Sequence, residues 1–269
     1  MKINRVQEGE QMHEHFSAVA EVYNDVRITD AEPVHAIVRH LGDRPSVRAA
    51  DIGCGGGRYD LLLSQCLPDL HLVCMDINPE MLREAARYLR KHGFDRFSAV
   101  QSDVSELDLP HASLDCVMTF NTIHHFSPES FLERAARALR DDGWVFIYTR
   151  LRSQNATSIW GKHFPGFTGK ETRLYDLARM ERCADQVDTL RLSSIEFFRF
   201  EREASLDQLI HRARNRHYST FSLYSGQELE AALRGFEQNL RRRFPDPASI
   251  RWYDENVLIA LRKISGPGT

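Results

Sequence analysis

The run Ala49-Ala50-Asp51-Ile52-Gly53-Cys54-Gly55-Gly56-Gly57-Arg58 decides how the rest of the chain is read. Small and apolar residues end in an acid, glycines follow at alternate positions, and a helix-compatible stretch opens at Arg58. That is the order of a buried strand, a tight turn and a helix. Glycine lets the backbone turn sharply and lets a ligand approach with no Cβ in the way. Amides at the start of the next helix can then face that ligand. A site of this kind lies at the carboxyl end of the first strand of an open α/β sheet. The dinucleotide pattern G-x-G-x-x-G, counted from Gly53, needs a glycine where Arg58 stands, so it fails. What stands instead is Asp51-x-Gly53-x-Gly55-x-Gly57. Alone, such a turn is also compatible with an ordinary strand-to-helix connection.

This pattern resembles motif I of the class I S-adenosylmethionine (SAM)-dependent methyltransferases. An acid inside the turn suits a ligand with a positively charged amino-acid end and repels a pyrophosphate. Two further acids fit. Asp76 closes the apolar run Leu70–Met75 at the offset where nucleotide folds place a ribose acid. Its plainer alternative is a helix-entry Asp beside Asn78. Asp103-Val104 follows a third strand-like run, Phe97–Ser102. In the family, an acid there accepts from the adenine amino group and the next amide donates to the ring. The resemblance also gives Ile77, beside Asp76, as a cofactor neighbour. It gives Cys54, within the turn, a steric rather than reactive place. The run Phe16-Ser-Ala-Val-Ala-Glu-Val-Tyr23 resembles the family's F-x-x-x-A-x-x-Y entry segment, which makes Tyr23 and Arg27 candidates to touch the methionine end. A capping helix whose Tyr only packs is the plain alternative. Asn121 to Phe126, at the end of the fourth strand, should border the methyl group. Asn121 then belongs to the cofactor site, and His124 or His125 could take a proton from an acceptor. Both histidines could equally only shape the pocket.

Along the chain, strands near 47–52, 70–76, 97–102 and 144–149, with the resemblance placing a fourth and its turn lead-in within 110–121, alternate with amphipathic helices. Asn78-Pro79 and Ser127-Pro128 supply a cap and a first helical residue. Asp141-Asp142-Gly143 turns the chain into the fifth strand. After Arg150 the alternation stops. Ser153–Glu171 reads as a loop or lid, Leu174–Val187 as a helix, and Ser194–Phe200 as a strand. Ser205 with Gln208 and Ser225 with Glu228 form two capping boxes. Val257–Leu261 reads as the last strand. The expected fold is α/β: a doubly wound, Rossmann-like, seven-stranded, mostly parallel sheet with helical elaboration in the C-terminal half. The expected organisation is one domain over 1–269. It comprises N-terminal cap helices to 45, a SAM-binding core at 46–150, a substrate-side elaboration at 151–255 and a final strand at 256–264.

Composition excludes several classes. The formal net charge of −3 gives no general attraction to nucleic acid or acidic lipid. There is no run of about twenty apolar residues to span a membrane. The polar N-terminus has no signal-peptide core, and five scattered cysteines without a C-x-x-C pair argue against zinc and for reduced thiols in the cytoplasm. No metal is expected. Asn121-Thr122-Ile123-His124 departs from the [DNS]-P-P-[YFW] motif of base-amine methylation, and no Pro-Cys serves cytosine C5 chemistry. Arginines at 212, 214, 216 and 241–243 are balanced by nearby acids and read as solvated helix faces. His211–Thr220 remains the substrate-side candidate. The expected activity is methyl transfer from SAM to an oxygen or nitrogen of a small metabolite. The alternatives are an RNA or protein methyltransferase, or a SAM-binding partner protein without turnover. Oligomeric state is left open.

Overall fold

Val47–Ile52 (β1) is buried at five of six positions and Leu114–Phe120 (β4) at all seven. Strands this apolar on both faces belong inside a parallel sheet covered by helices. The computed structural model describes residues 28–106 and 108–264. Tyr23, Arg27 and the entry segment therefore lie outside the described residues. The chain forms two units. One comprises residues 28–149, 175–198 and 257 onward; the described part of the other comprises 150–174 and 199–256.

The first unit begins with Glu32–Leu41 (α1), which has proline near its start and Gly42 closing it at φ 66°. β1 follows, then Arg58–Cys66 (α2), Leu70–Asp76 (β2), Pro79–Lys91 (α3) and Phe97–Gln101 (β3). β4, Pro128–Ala138 (α4) and Leu139–Thr149 (β5) complete the alternation. The sheet order is β3-β2-β1-β4-β5-β7-β6, where β6 is Leu190–Ala204 and β7 is Ile250–Lys263. The pairings β1–β2, β2–β3, β1–β4 and β4–β5 are parallel, and β5–β7 is antiparallel. The expected doubly wound, mostly parallel seven-stranded sheet is thus observed. Strand order reverses between β1 and β4, and in such sheets ligands bind at the carboxyl ends beside that switch.

The core of this unit joins Val34, Ile37, Leu63, Leu72, Met118, Phe146 and Leu258. One buried acid in it is well paired. Asp115 accepts from Arg44 and Arg140 at 3.1 and 3.0 Å and from the Arg48 amide at 2.8 Å.

Two local expectations need correction here. Asp141-Asp142-Gly143 does not precede the fifth strand but lies inside β5, where the β4 register shifts between Leu114 and Cys116. Asp142 takes φ 62°, so the turn is absorbed as an irregularity of the strand. The helix expected over 174–187 is the shorter Leu177–Asp185 (α8).

In the second unit, the expected loop at 153–171 contains three short helices: Arg152–Thr157 (α5), Ile159–His163 (α6) and Phe167–Lys170 (α7). Trp160, Phe164 and Phe167 anchor them in an aromatic core with Phe221 and Phe236. Helices of four to six residues are too short to show a period, which is why the sequence reads as loop. Leu206–Arg214 (α9) and Gly226–Arg243 (α10) open on the capping boxes of Ser205 and Ser225. β6 and β7 both extend well beyond the strands expected at 194–200 and 257–261.

Candidate functional site

At the end of β1 the chain turns through three glycines of positive φ: Gly53 at 76°, Gly55 at 54° and Gly57 at 75°. Two of these positions are also sterically closed. A Cβ on Gly53 would lie 2.3 Å from Thr122 Cγ2, and one on Gly57 would press Ala85 at 3.3 Å. Thr122 follows β4, and its hydroxyl donates to the Gly53 carbonyl at 3.0 Å. The ends of β1 and β4 are therefore locked together at the switch point. The Gly53 and Cys54 amides both donate to the Met75 carbonyl, at 2.8 and 2.9 Å.

Asp76 ties the same turn to β2. Its Oδ2 accepts the Gly55 amide at 2.9 Å, and its Oδ1 accepts the Asn78 amide at 2.9 Å. Asn78 in turn caps α3 by accepting from the amides of Glu80 and Met81. An ionised carboxylate is an acceptor only, the kind of group that suits ligand hydroxyls. Ile77 stands next to it with 54% of its surface exposed. Asp103 is exposed. Its Oδ1 accepts from the amide and hydroxyl of Ser105 at 2.6 and 2.5 Å, closing the turn Val104–Glu106, in which Val104 is buried.

Asn121 takes φ 56°, the left-handed region that non-glycine residues seldom enter, while its amide donates to the Tyr148 carbonyl at 2.7 Å. Strain of this kind gathers at functional sites. It sends the chain into the short turn Ile123–His125, where the half-buried rings of His124 and His125 lie 4.1 Å apart. The following carbonyl of Phe126 accepts from the Tyr175 hydroxyl at 3.2 Å.

Asp51 lies elsewhere than at the mouth of the turn. It is buried beneath it, 1% exposed, and faces Asp60 of α2, which is fully buried. Burial first, and the neighbouring Asp60 second, push the Asp51 carboxyl well above the usual carboxylate range; burial lifts Asp60 to about 7. Cys74 Sγ donates to Asp60 Oδ2 at 3.5 Å. Sequence reasoning passed over Asp60, because a polar residue in an amphipathic helix reads as solvated. Its only sequence signal is position: Asp60 and Leu63, three apart, share one buried face.

Cys54, Asp60 and Cys74 bring ligand atoms within 4.8 Å of one another, a grouping that no C-x-x-C search could find. The two thiols are held protonated. The hydrogen bond with Cys74 and burial raise the Cys54 thiol. For Cys74 the hydrogen bond with Cys54 lowers the value, but burial and the nearby carboxyls carry it to about 12. All five cysteines are free. No helix among the described residues is long and apolar enough to cross a membrane.

The methyltransferase domain family profile matches residues 49–143. A sterol 24-C-methyltransferase of Gibberella zeae is 27% identical over 117 residues, 42% of this chain and 30% of that protein. A malonyl-acyl-carrier-protein O-methyltransferase of Herminiimonas arsenicoxydans is 27% identical over 135 residues, 50% of this chain and 49% of its own. The chain therefore spans about half or less of these curated relatives. Among solved structures, a geranyl diphosphate C-methyltransferase of Streptomyces coelicolor, crystallised with S-adenosyl-L-homocysteine, superposes with a TM-score of 0.55. The match covers 86% of this chain and 77% of that one at 14% identity, a likeness of fold.

Proposed function

We propose that this chain, whose residues 49–143 belong to the class I S-adenosylmethionine-dependent methyltransferases, transfers the methyl group of SAM to an oxygen or nitrogen of a small metabolite. The observation that carries the reading is the glycine turn fastened to Asp76 at the strand-order reversal, with Ile77 exposed beside it. A carboxylate next to an exposed apolar side chain suits a ribose and the flat face of a purine. The exposed Asp103, one strand further, suits the purine's amino group.

SAM, when bound, supplies a methyl group already activated by its sulfonium. The chain's own task is to hold the acceptor in line and keep water out. Gly53 and Gly57 let the turn close against Thr122 and Ala85, Gly55 turns the backbone against which the amino-acid end would lie, and Cys54 stays a thiol within the turn. The left-handed Asn121 directs the 121–126 turn. His124 and His125 can receive a proton where the acceptor carries one, and a carboxylate acceptor needs no such base. Oxygen methylation has support from the malonyl-carrier relative. The sterol relative, named for carbon, shows how little the cofactor half constrains the acceptor.

Calorimetry with SAM tests the cofactor reading, with saturable binding expected. No binding would remove it. Incubation of metabolite pools with SAM should then yield a product heavier by one methyl group. A polymer acceptor whose binding collapses with salt would instead identify an RNA or protein substrate. Binding without any product would identify a non-catalytic SAM binder.

A further inference from the structure

Asp51 and Asp60 are both buried, and each keeps one oxygen, Oδ1, with no hydrogen-bond partner when the carboxyls are drawn ionised. Their charged and titratable neighbours come from each element packed around them. The turn contributes Cys54, β2 contributes Cys74 and Asp76, and β4 contributes Cys116, which feels Asp51 weakly. Among the described residues, none of these neighbours is a cation. The contrast with Asp115 is direct, since that acid is equally buried but held by two arginines. Two like charges in an apolar site without a counter-ion are far too costly to coexist. A proton placed between the two carboxyls turns one of them into a donor and removes the orphaned acceptors.

We propose that Asp51 and Asp60 work as one carboxyl pair that shares a proton, and that Asp60 is thereby a positioning residue setting the charge beneath the glycine turn that meets the ammonium of the cofactor's amino-acid end. This rests on the reading above that SAM binds at this turn. The pair carries one negative charge when singly protonated and none when doubly protonated. Only the singly protonated form attracts an ammonium, so binding in mild acid expels a proton from the pair to solvent. Burial brings this change near pH 7. Asp60→Asn changes the outcome. The amide can donate to Asp51 and still accept from Cys74, which leaves Asp51 ionised without a shared proton.

The test is isothermal titration of the full chain with SAM in buffers of different ionisation enthalpy, at pH 6, 7 and 8. For the wild type, close to one proton should be released per site at pH 6 and almost none at pH 8. Affinity should be roughly tenfold weaker at pH 6 than at pH 8. In Asp60→Asn both effects should vanish, with affinity at pH 6 restored toward the wild-type value at pH 8. Zero proton release by the wild type, or the same release by the variant, would overturn the proposal. A second measurement needs no variant and no ligand: infrared spectra of the wild type at pH 7 should hold a buried protonated-carboxyl band. Its absence would overturn the pair even if SAM fails to bind, whereas failure of SAM to bind with the band present would strike only the cofactor reading. One equivalent of zinc in the purified protein would also overturn it, because a metal would stand where the proton is placed.

Discussion

Asp76 holds the Gly55 amide at 2.9 Å across 21 residues of chain, and this bond joins the glycine turn to the end of the second strand. The contact puts the two halves of the proposed cofactor site, the glycine turn and the end of β2, under one carboxylate. The group that would bind the ribose also shapes the turn that would bind the amino-acid end. Asp76→Ala should lose both at once. A charge-assisted hydrogen bond contributes roughly 1.5–3 kcal/mol, so SAM affinity should fall by about tenfold to a hundredfold by calorimetry. Asp76→Asn should fall less, because its carbonyl can still accept one amide. Equal affinity for wild type and Asp76→Ala would remove the ribose assignment.

Gly53→Ala meets two separate obstacles: a φ of 76° and a Thr122 methyl 2.3 Å from the new carbon. Left-handed strain costs on the order of 1–2 kcal/mol and overpacking about 1–3 kcal/mol. The variant should lose roughly 2–5 kcal/mol in urea unfolding followed by circular dichroism. Adding Thr122→Ser removes the Cγ2 methyl, and the double variant should recover part of the loss but not the strain. Full recovery would show that backbone conformation contributes nothing at this position.

The parts of the fold legible in the sequence are those fixed by neighbours in the chain. Asn78-Pro79 and Ser127-Pro128 start helices where they stand, and both capping boxes close as read. β1 and β2 fall where the apolar runs fall, since a strand buried on both faces needs a continuous one. The contacts made across the fold were hidden. Thr122 gives no sign in the sequence that it closes on Gly53, 69 residues away. Asp60 and Cys74 meet Asp51 only once α2 lies against the sheet. The 152–170 helices depend on Trp160 and Phe167 finding Phe221, beyond the reach of any local period. Of the candidate site, the glycine turn and the places of Asp76 and Asp103 after β2 and β3 were legible, while the burial of Asp51 was not.

Glu171 in the second unit is 4% exposed, bound by Arg173 and by the Thr220 hydroxyl at 2.6 Å. Burial alone would raise its carboxyl, but Arg173 and Thr220 together hold it below the usual range. A depressed carboxylate stabilises the fold above its unfolded value and loses that contribution as pH falls through the folded one. Glu171→Gln should therefore be destabilised at pH 7 by about 1–3 kcal/mol, the range for a buried charged hydrogen bond. The deficit should shrink as the pH approaches 3. A deficit constant from pH 7 to pH 3 in urea unfolding would mean that packing, not charge, accounts for it.

Asp60 predicts the opposite slope. Its folded value, about 7, lies above the unfolded carboxylate value, so the native state holds the proton more tightly than the unfolded chain. Stability from this group is complete below pH 4 and is lost as pH rises toward and through 7. The wild type thus sheds a penalty as pH falls from 8 to 4 that Asp60→Asn, whose Asp51 stays ionised, keeps. A shift of this size corresponds to a few kcal/mol, on the order of 1.4 kcal/mol per unit. The two proteins should therefore be of similar stability at pH 8, and the wild type should gain on the variant steadily toward pH 4. Urea unfolding of both proteins at half-unit steps across that window measures it. A difference that stays flat, or one that shrinks in acid, would mean that Asp60 is ionised in the native state and that a counter-charge reaches it.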